Sequence, residues 1–241
     1  MTPTYFRSMT LHNAFIGILC SLSFAPLASG ACPNTITPSA PRWSFTTLEW
    51  TYTGVLSTSA VSEGAAAWNS RQSFTTIMPA ETYNDVRIWD DNNIGPILGQ
   101  ITVYNYGNGG SACYLHRSTN CSQICFNTSR IYVADVQLNP NNIAGAAYDW
   151  ASYWGISPAD AVNRVTKITV SHEFGHFFGL SNWNGAQNCA DPTIMSVNDE
   201  FYCALTGPTA CDGSAVATVY SGWTTVGAAC VACNLSSTCS N

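Results

Sequence analysis

The sequence predicts an α+β fold with an irregular, disulfide-fastened lower part, and three observations carry that expectation. Segments rich in β-branched and aromatic residues with near-alternating polarity recur between residues 43 and 138, the pattern of half-buried strands. Apolar residues at Val162, Val165, Ile168, Phe174 and Phe178 give the stretch after Ser157 one buried side, the pattern of a helix. Beyond Gly179 the composition shifts to Asn, Cys, Gly and Pro, which favours loops held by cross-links over packed elements.

The first thirty residues read differently from the rest. A single charge, Arg7, precedes an apolar run from Ala14 to Cys20 that continues through Leu22, Phe24 and Leu27 to the small residues Ala28, Ser29 and Gly30. This is the layout of a secretory signal peptide cleaved near Gly30 or Ala31, and Ser21, Ser23 and Pro26 interrupt it before it spans a bilayer comfortably. The expected location is therefore extracellular, with residues 31–241 as a single domain, an upper part near 41–180 and a lower part near 181–241. Cysteine usage agrees. Eleven cysteines less Cys20 leave ten, an even number suited to five disulfides in an oxidising compartment. Cys121 and Cys125 resemble half of a zinc knuckle, but export favours a disulfide for each. Eight Lys and Arg against fourteen Asp and Glu, a net charge of −6, leave no basic stripe for nucleic acid or an anionic membrane. Asn120, Asn127 and Asn234 head glycosylation sequons.

In chain order, residues 31–41 form a Pro/Ser/Thr-rich arm and residues 43–52 a first strand. Ser57, Thr58 and Ser59 each offer a cap to a short helix over 60–68. Residues 73–77 and 86–89 read as strands. The turn over 90–96 is dense in oxygen donors, but its spacing fits no specific calcium loop, so Ca2+ is possible there and unsupported. Residues 97–104 resume strand, 106–125 form a Gly-rich loop with three cysteines, and 130–138 alternate as another strand. Residues 139–155 read as an aromatic loop. Ser157 and Pro158 have the signature of a helix start, although Ile168-Thr169-Val170 is a poor helical run and leaves a start nearer Arg164 open. Gly179 is the stop, and residues 215–220 read as a last short helix entered at Asp212.

The long helix ends in His172-Glu173-Phe174-Gly175-His176. Residues four apart share a helix face, so two imidazoles can aim at one metal ion while Glu173 stands beside them as a proton acceptor. That is an H-E-x-x-H motif. Together with Gly179, and with Met195 in the run Pro-Thr-Ile-Met-Ser at 192–196, it resembles the metzincin clan of zinc endopeptidases, the matrixins in particular. The resemblance implies a twisted, mostly parallel sheet with one antiparallel edge strand and two helices. It also implies one catalytic Zn2+ on His172 and His176, Glu173 as general base toward a metal-activated water, and Met195 in a turn beneath the site. Ile97, Leu98, Gly99, Gln100 and Ile101 match the edge strand on which a peptide or protein substrate would pair, and a monomer is expected. One position departs from the pattern: Asn182 stands where the clan has its third histidine, with Asn184 and Asp191 as rival ligands. That departure keeps open an inactive relative acting as a secreted binding protein or inhibitor.

Overall fold

In the computed structural model the described residues are 35–36, 43, 46–80, 84–105, 123–126, 131–183, 189, 192–197, 201, 203–221 and 229–232. The chain divides into Met1–Gly30, which lies wholly outside the described residues, and Ala31–Asn241. No helix among the described residues is long and apolar enough to cross a membrane.

Within the larger unit, strand β1 (Thr35–Ile36) precedes β2 (Thr47–Thr53), which buries Leu48 and Trp50 on one face. Helix α1 (Thr58–Ala66) starts where the Ser57 side chain accepts from Ala60 N–H, and it passes into a 3-10 turn, Ala67–Ser70, that buries Trp68. Then come β3 (Thr76–Pro79), β4 (Val86–Asp90), β5 (Gly99–Asn105), β6 (Gln123–Phe126) and β7 (Ile131–Leu138). Helices α2 (Pro140–Trp154) and α3 (Pro158–Phe177) lead to β8 (Leu180–Ser181), α4 (Ala210–Val219) and β9 (Ala229–Ala232). Five strands form one sheet in the order β3-β2-β4-β7-β5, parallel throughout except for β5, which runs antiparallel to β7 at the edge. The expected α+β class and its mostly parallel sheet are thus present. Two further pairs, β1 with β8 and β6 with β9, are antiparallel.

The structure corrects the sequence reading in one large respect. Residues 140–154 are a helix where a loop was expected, so the described residues hold four α-helices in place of the three read from the sequence. Asn139 caps it by accepting from Asn142 N–H at 3.1 Å, Pro140 sits in the first turn, and Gly155 closes it in the left-handed region at φ 64°. Ile143, Ala147 and Ala151 supply the buried stripe, while Tyr148 and Tyr153 face outward. Of the aromatics that suggested a loop, Tyr148 and Tyr153 lie on the far side of the helix, while Trp150 and Trp154 flank its mostly alanine seam and pack against the core. Smaller differences concern boundaries. The first sheet strand starts at Thr47, after residue 43; α1 starts two residues early; β3 lies three residues late; and α4 begins at Ala210, entered through Thr209.

Helix α3 begins at Ser157, whose hydroxyl accepts from Asp160 N–H at 3.2 Å, and it runs unbroken through Ile168-Thr169-Val170. Those three residues are buried, so packing outweighs a propensity deficit of a few tenths of a kcal/mol each (about 0.5). Close contact with α1 fixes its rotation. A Cβ on Gly64 would lie 2.8 Å from Lys167 O, Ser171 Oγ donates to Gly64 O at 2.8 Å, and Trp68 Nε1 donates to Ser171 O at 2.9 Å. In the lower part Cys189 is bonded to Cys203, and Cys211 is also in a disulfide. Cys32, Cys113 and Cys121, and with Cys121 the half-knuckle reading, fall outside the described residues.

Candidate metal centre and cleft

The last turns of α3 place His172 and His176 on one face, with ring centroids 4.8 Å apart and planes at 82°. Each ring is held from behind by a backbone carbonyl: His172 Nδ1–H donates to Ile194 O at 2.9 Å, and His176 Nδ1–H donates to Leu180 O at 2.8 Å. A carbonyl only accepts, so Nδ1 carries the proton on both rings and each Nε2 is left as a lone pair. Burial, reinforced by the neighbouring His176, pushes the His172 pKa down from 6.5 to about 4, and burial lowers that of His176 as well. Near neutral pH both rings are therefore neutral ligands pointing outward.

What faces them is Asn182. Gly179, at φ 88°, turns the chain out of α3, β8 follows, and the Asn182 carboxamide arrives with Oδ1 3.0 Å from His172 Nε2 and bonded to His176 too. Two lone pairs cannot face each other at 3.0 Å without something positive between them. Either the amide presents its NH2, which heavy-atom positions alone do not distinguish from oxygen, or a cation joins the two atoms. The donor set of two imidazole nitrogens and one amide oxygen fits a divalent ion of zinc type, with the neutral oxygen the weakest of the three. Among the described residues no three His, Cys, Asp or Glu side chains converge to hold a metal. The rivals Asn184 and Asp191, together with His12, His116 and Cys32, lie outside the described residues.

A cleft of about 580 Å³ opens in front of these groups. One wall is the whole expected edge segment, Ile97, Leu98, Gly99, Gln100 and Ile101, although only Gly99 onward is strand. The other residues along it include Thr169, Glu173, both histidines, Asn182 and Val197. Glu173 is 4% exposed. A Cβ on Gly99 would lie 3.3 Å from Glu173 Oε1 and 2.7 Å from Thr169 Cγ2, so glycine is what lets the edge strand reach the carboxylate. Asn139 N–H donates to Leu98 O at 2.8 Å, which sets Leu98 opposite Asn139 at a hydrogen-bonded position of the β5–β7 register. Inward and outward groups alternate in an antiparallel ladder, so the N–H and C=O of Gly99, Ile101 and Val103 point away from β7 along the cleft.

Met195 lies beneath, fully buried, and a Cβ on Gly175 would collide with its Sδ. Its turn is shaped by Asp212, a buried carboxylate that accepts from Thr193 Oγ1 at 2.6 Å, Ile194 N–H at 3.1 Å and Thr209 N–H at 2.7 Å. The sequence reading assigned Asp212 only to a helix entry. The Thr209-x-x-Asp212 capping box was a readable signal, whereas the Ile194 and Leu180 carbonyls that orient the histidines carry none. In the 90–96 turn, Asp90 accepts from Tyr52 Oη–H and Val55 N–H, and Asp91 from Asn93 N–H and Gln137 Nε2–H. These carboxylates are spent on the protein's own donors, and nothing there speaks for calcium.

No protein-family model matches the chain, and no curated protein does. A solved structure titled "GM1 bound form of the ECX AB5 holotoxin" is similar at 15% identity over 72% of this chain and 80% of that one, with a TM-score of 0.44. At that level of superposition it carries no argument about this chain's activity.

Proposed function

We propose that the chain is a secreted zinc-dependent endopeptidase of the metzincin, matrixin-like kind. The observation that carries this reading is the convergence of two unprotonated imidazole nitrogens and the Asn182 carboxamide at a cleft that Glu173 also lines. When bound there, zinc would supply Lewis acidity that polarises a carbonyl and acidifies water.

The residues of the chain divide the remaining work. An extended peptide pairs along the outward N–H and C=O groups of Gly99 and Ile101, which sets its backbone across the mouth of the site. Ile97 and Val197, 42% and 39% exposed, flank that path with apolar surface. Glu173 takes a proton from the attacking water and returns it to the leaving amine, a role that a buried carboxylate lining the cleft beside both histidines is suited to perform. His172 and His176 stay neutral because burial disfavours the imidazolium, and the Ile194 and Leu180 carbonyls fix the single proton of each ring on Nδ1. Met195 shapes the floor by packing and does no chemistry.

The test is cleavage of a diverse peptide library by purified protein, with and without chelator, alongside metal analysis. Chelator-sensitive cleavage with one zinc per chain is expected. Absence of cleavage with zinc still bound would favour the alternative, an inactive relative serving as a secreted binding protein, which the carboxamide in place of a third histidine keeps in view. Failure to bind zinc under metal-replete conditions would sink both metal readings.

A further inference from the structure

We propose that Asn142 is a positioning residue of the cleft: its carboxamide pins the lip at Ile97 and so sets the register in which a bound strand meets Gly99 and Ile101. The proposal deepens the peptidase reading and rests on it for the identity of the bound strand.

The lip is the segment between the 90–96 turn and β5, and it has no ladder of its own until Leu98 meets Asn139. What holds it is the first turn of α2. Asn142 Nδ2 donates to two carbonyls at once, Gly95 O at 2.8 Å and Ile97 O at 2.8 Å, and Asn139 Nδ2 donates to Gly95 O at 3.1 Å. Both hydrogens of one rigid amide group therefore fix carbonyls on either side of Pro96. Gly95, at φ 80°, makes the bend between them. The consequence reaches the cleft because Ile97, Leu98 and Gly99 line it in succession. A shift at Ile97 would be passed to the N–H and C=O of Gly99, which lie beside Glu173.

A helix-terminal asparagine has an ordinary structural explanation, and the position itself separates the two. With Asn139 as N-cap, Asn142 is the third helical residue, where aspartate is favoured by the free N–H groups and the helix dipole. Asn142→Asp is isosteric and good for the helix, but it replaces two donors with a carboxylate facing two carbonyl oxygens. If Asn142 served only the helix, that change would be neutral or stabilising.

Asn142→Asp and Asn142→Ala are compared with wild type by thermal unfolding, by amide hydrogen exchange over residues 95–101, and by steady-state kinetics on long and short peptides. For Asn142→Asp we expect a Tm below that of wild type and exchange at the lip faster by about tenfold. KM should rise about tenfold on peptides long enough to pair with Ile101, with kcat within about twofold and short peptides unaffected. Asn142→Ala should show the same lip and KM effects. Unchanged lip exchange overturns the proposal, and so does faster exchange with unchanged KM, which would make the strap merely structural. A wild-type chain that cleaves nothing overturns the peptidase reading instead and leaves exchange at the lip to decide the strap alone.

Discussion

At the scale of single residues, the candidate centre is defined by where protons sit. His172 and His176 each spend Nδ1–H on a carbonyl, and burial keeps both from taking a second proton. The pH dependence of the metal-free protein follows in sign. Unfolded, His172 takes up a proton near pH 6.5; folded, only near pH 4, so the unfolded state binds more protons between those values. Stability contributed by the neutral ring is full above about pH 6.5 and is lost as pH falls toward 4, on the order of 3 kcal/mol in all. Chelated protein unfolded in urea at pH 7.5 and 4.5 should show that loss, and His172→Gln should flatten it; an equally steep slope in the variant would assign the effect elsewhere. Glu173→Ala should cut cleavage by about 10²-fold or more while zinc stays bound if, as proposed, Glu173 moves protons and holds no metal. Unchanged cleavage would remove it from the general-base role. Asn182→His should tighten zinc in competition with a chelator, by replacing a neutral oxygen with an imidazole nitrogen; an unaltered affinity would show that residue 182 does not face the ion.

At the scale of elements, the active surface is made where α3 meets the antiparallel edge strand, and one glycine sets how closely they meet. Gly99→Ala would press a methyl group against Thr169 Cγ2, Gln137 O and Glu173 Oε1. The expected cost is about 1–3 kcal/mol in urea unfolding, with cleavage lost more steeply than stability, because the strand must lift from the carboxylate. A variant with wild-type unfolding and wild-type cleavage would mean that the edge strand does not lie there. Much at this scale was legible. Ser157 and Pro158 announced α3, Gly179 its end, and the alternation of residues 131–138 the strand that pairs with β5. Helix α2 was missed although Asn139, Pro140 and Gly155 were all in view, because its buried stripe of Ile143, Ala147 and Ala151 is too weakly apolar to show a period against Tyr148, Trp150, Tyr153 and Trp154. Side-chain hydrophobicity misleads when the buried stripe of a helix is small and its aromatics lie on flank and outer face alike.

At the scale of the whole molecule, Asp212 links the lower part to the centre. It gathers Thr193, Ile194 and Thr209, and Ile194 in turn passes its carbonyl to His172. Asp212→Asn would set an amide N–H₂ against donors that need an acceptor, at a cost of about 2–4 kcal/mol. It should also weaken zinc binding, through the displaced Ile194 carbonyl. Destabilisation with wild-type zinc affinity would break that link. Local spacing was enough to place His172, Glu173 and His176 together, because one helical turn is a property of adjacent residues. The alternation of strand residues likewise anticipated a sheet, whereas the turn at 192–196 was implied only by the resemblance to the metzincins. The partner of each Nδ1, the approach of Gly99 to Glu173, the strap from Asn142 and the convergence of Asn182 on two imidazoles join residues far apart in the chain or use backbone groups that every residue possesses. Such pairings leave no trace in residue type or period, and they come into being only when packing brings distant segments within hydrogen-bond reach.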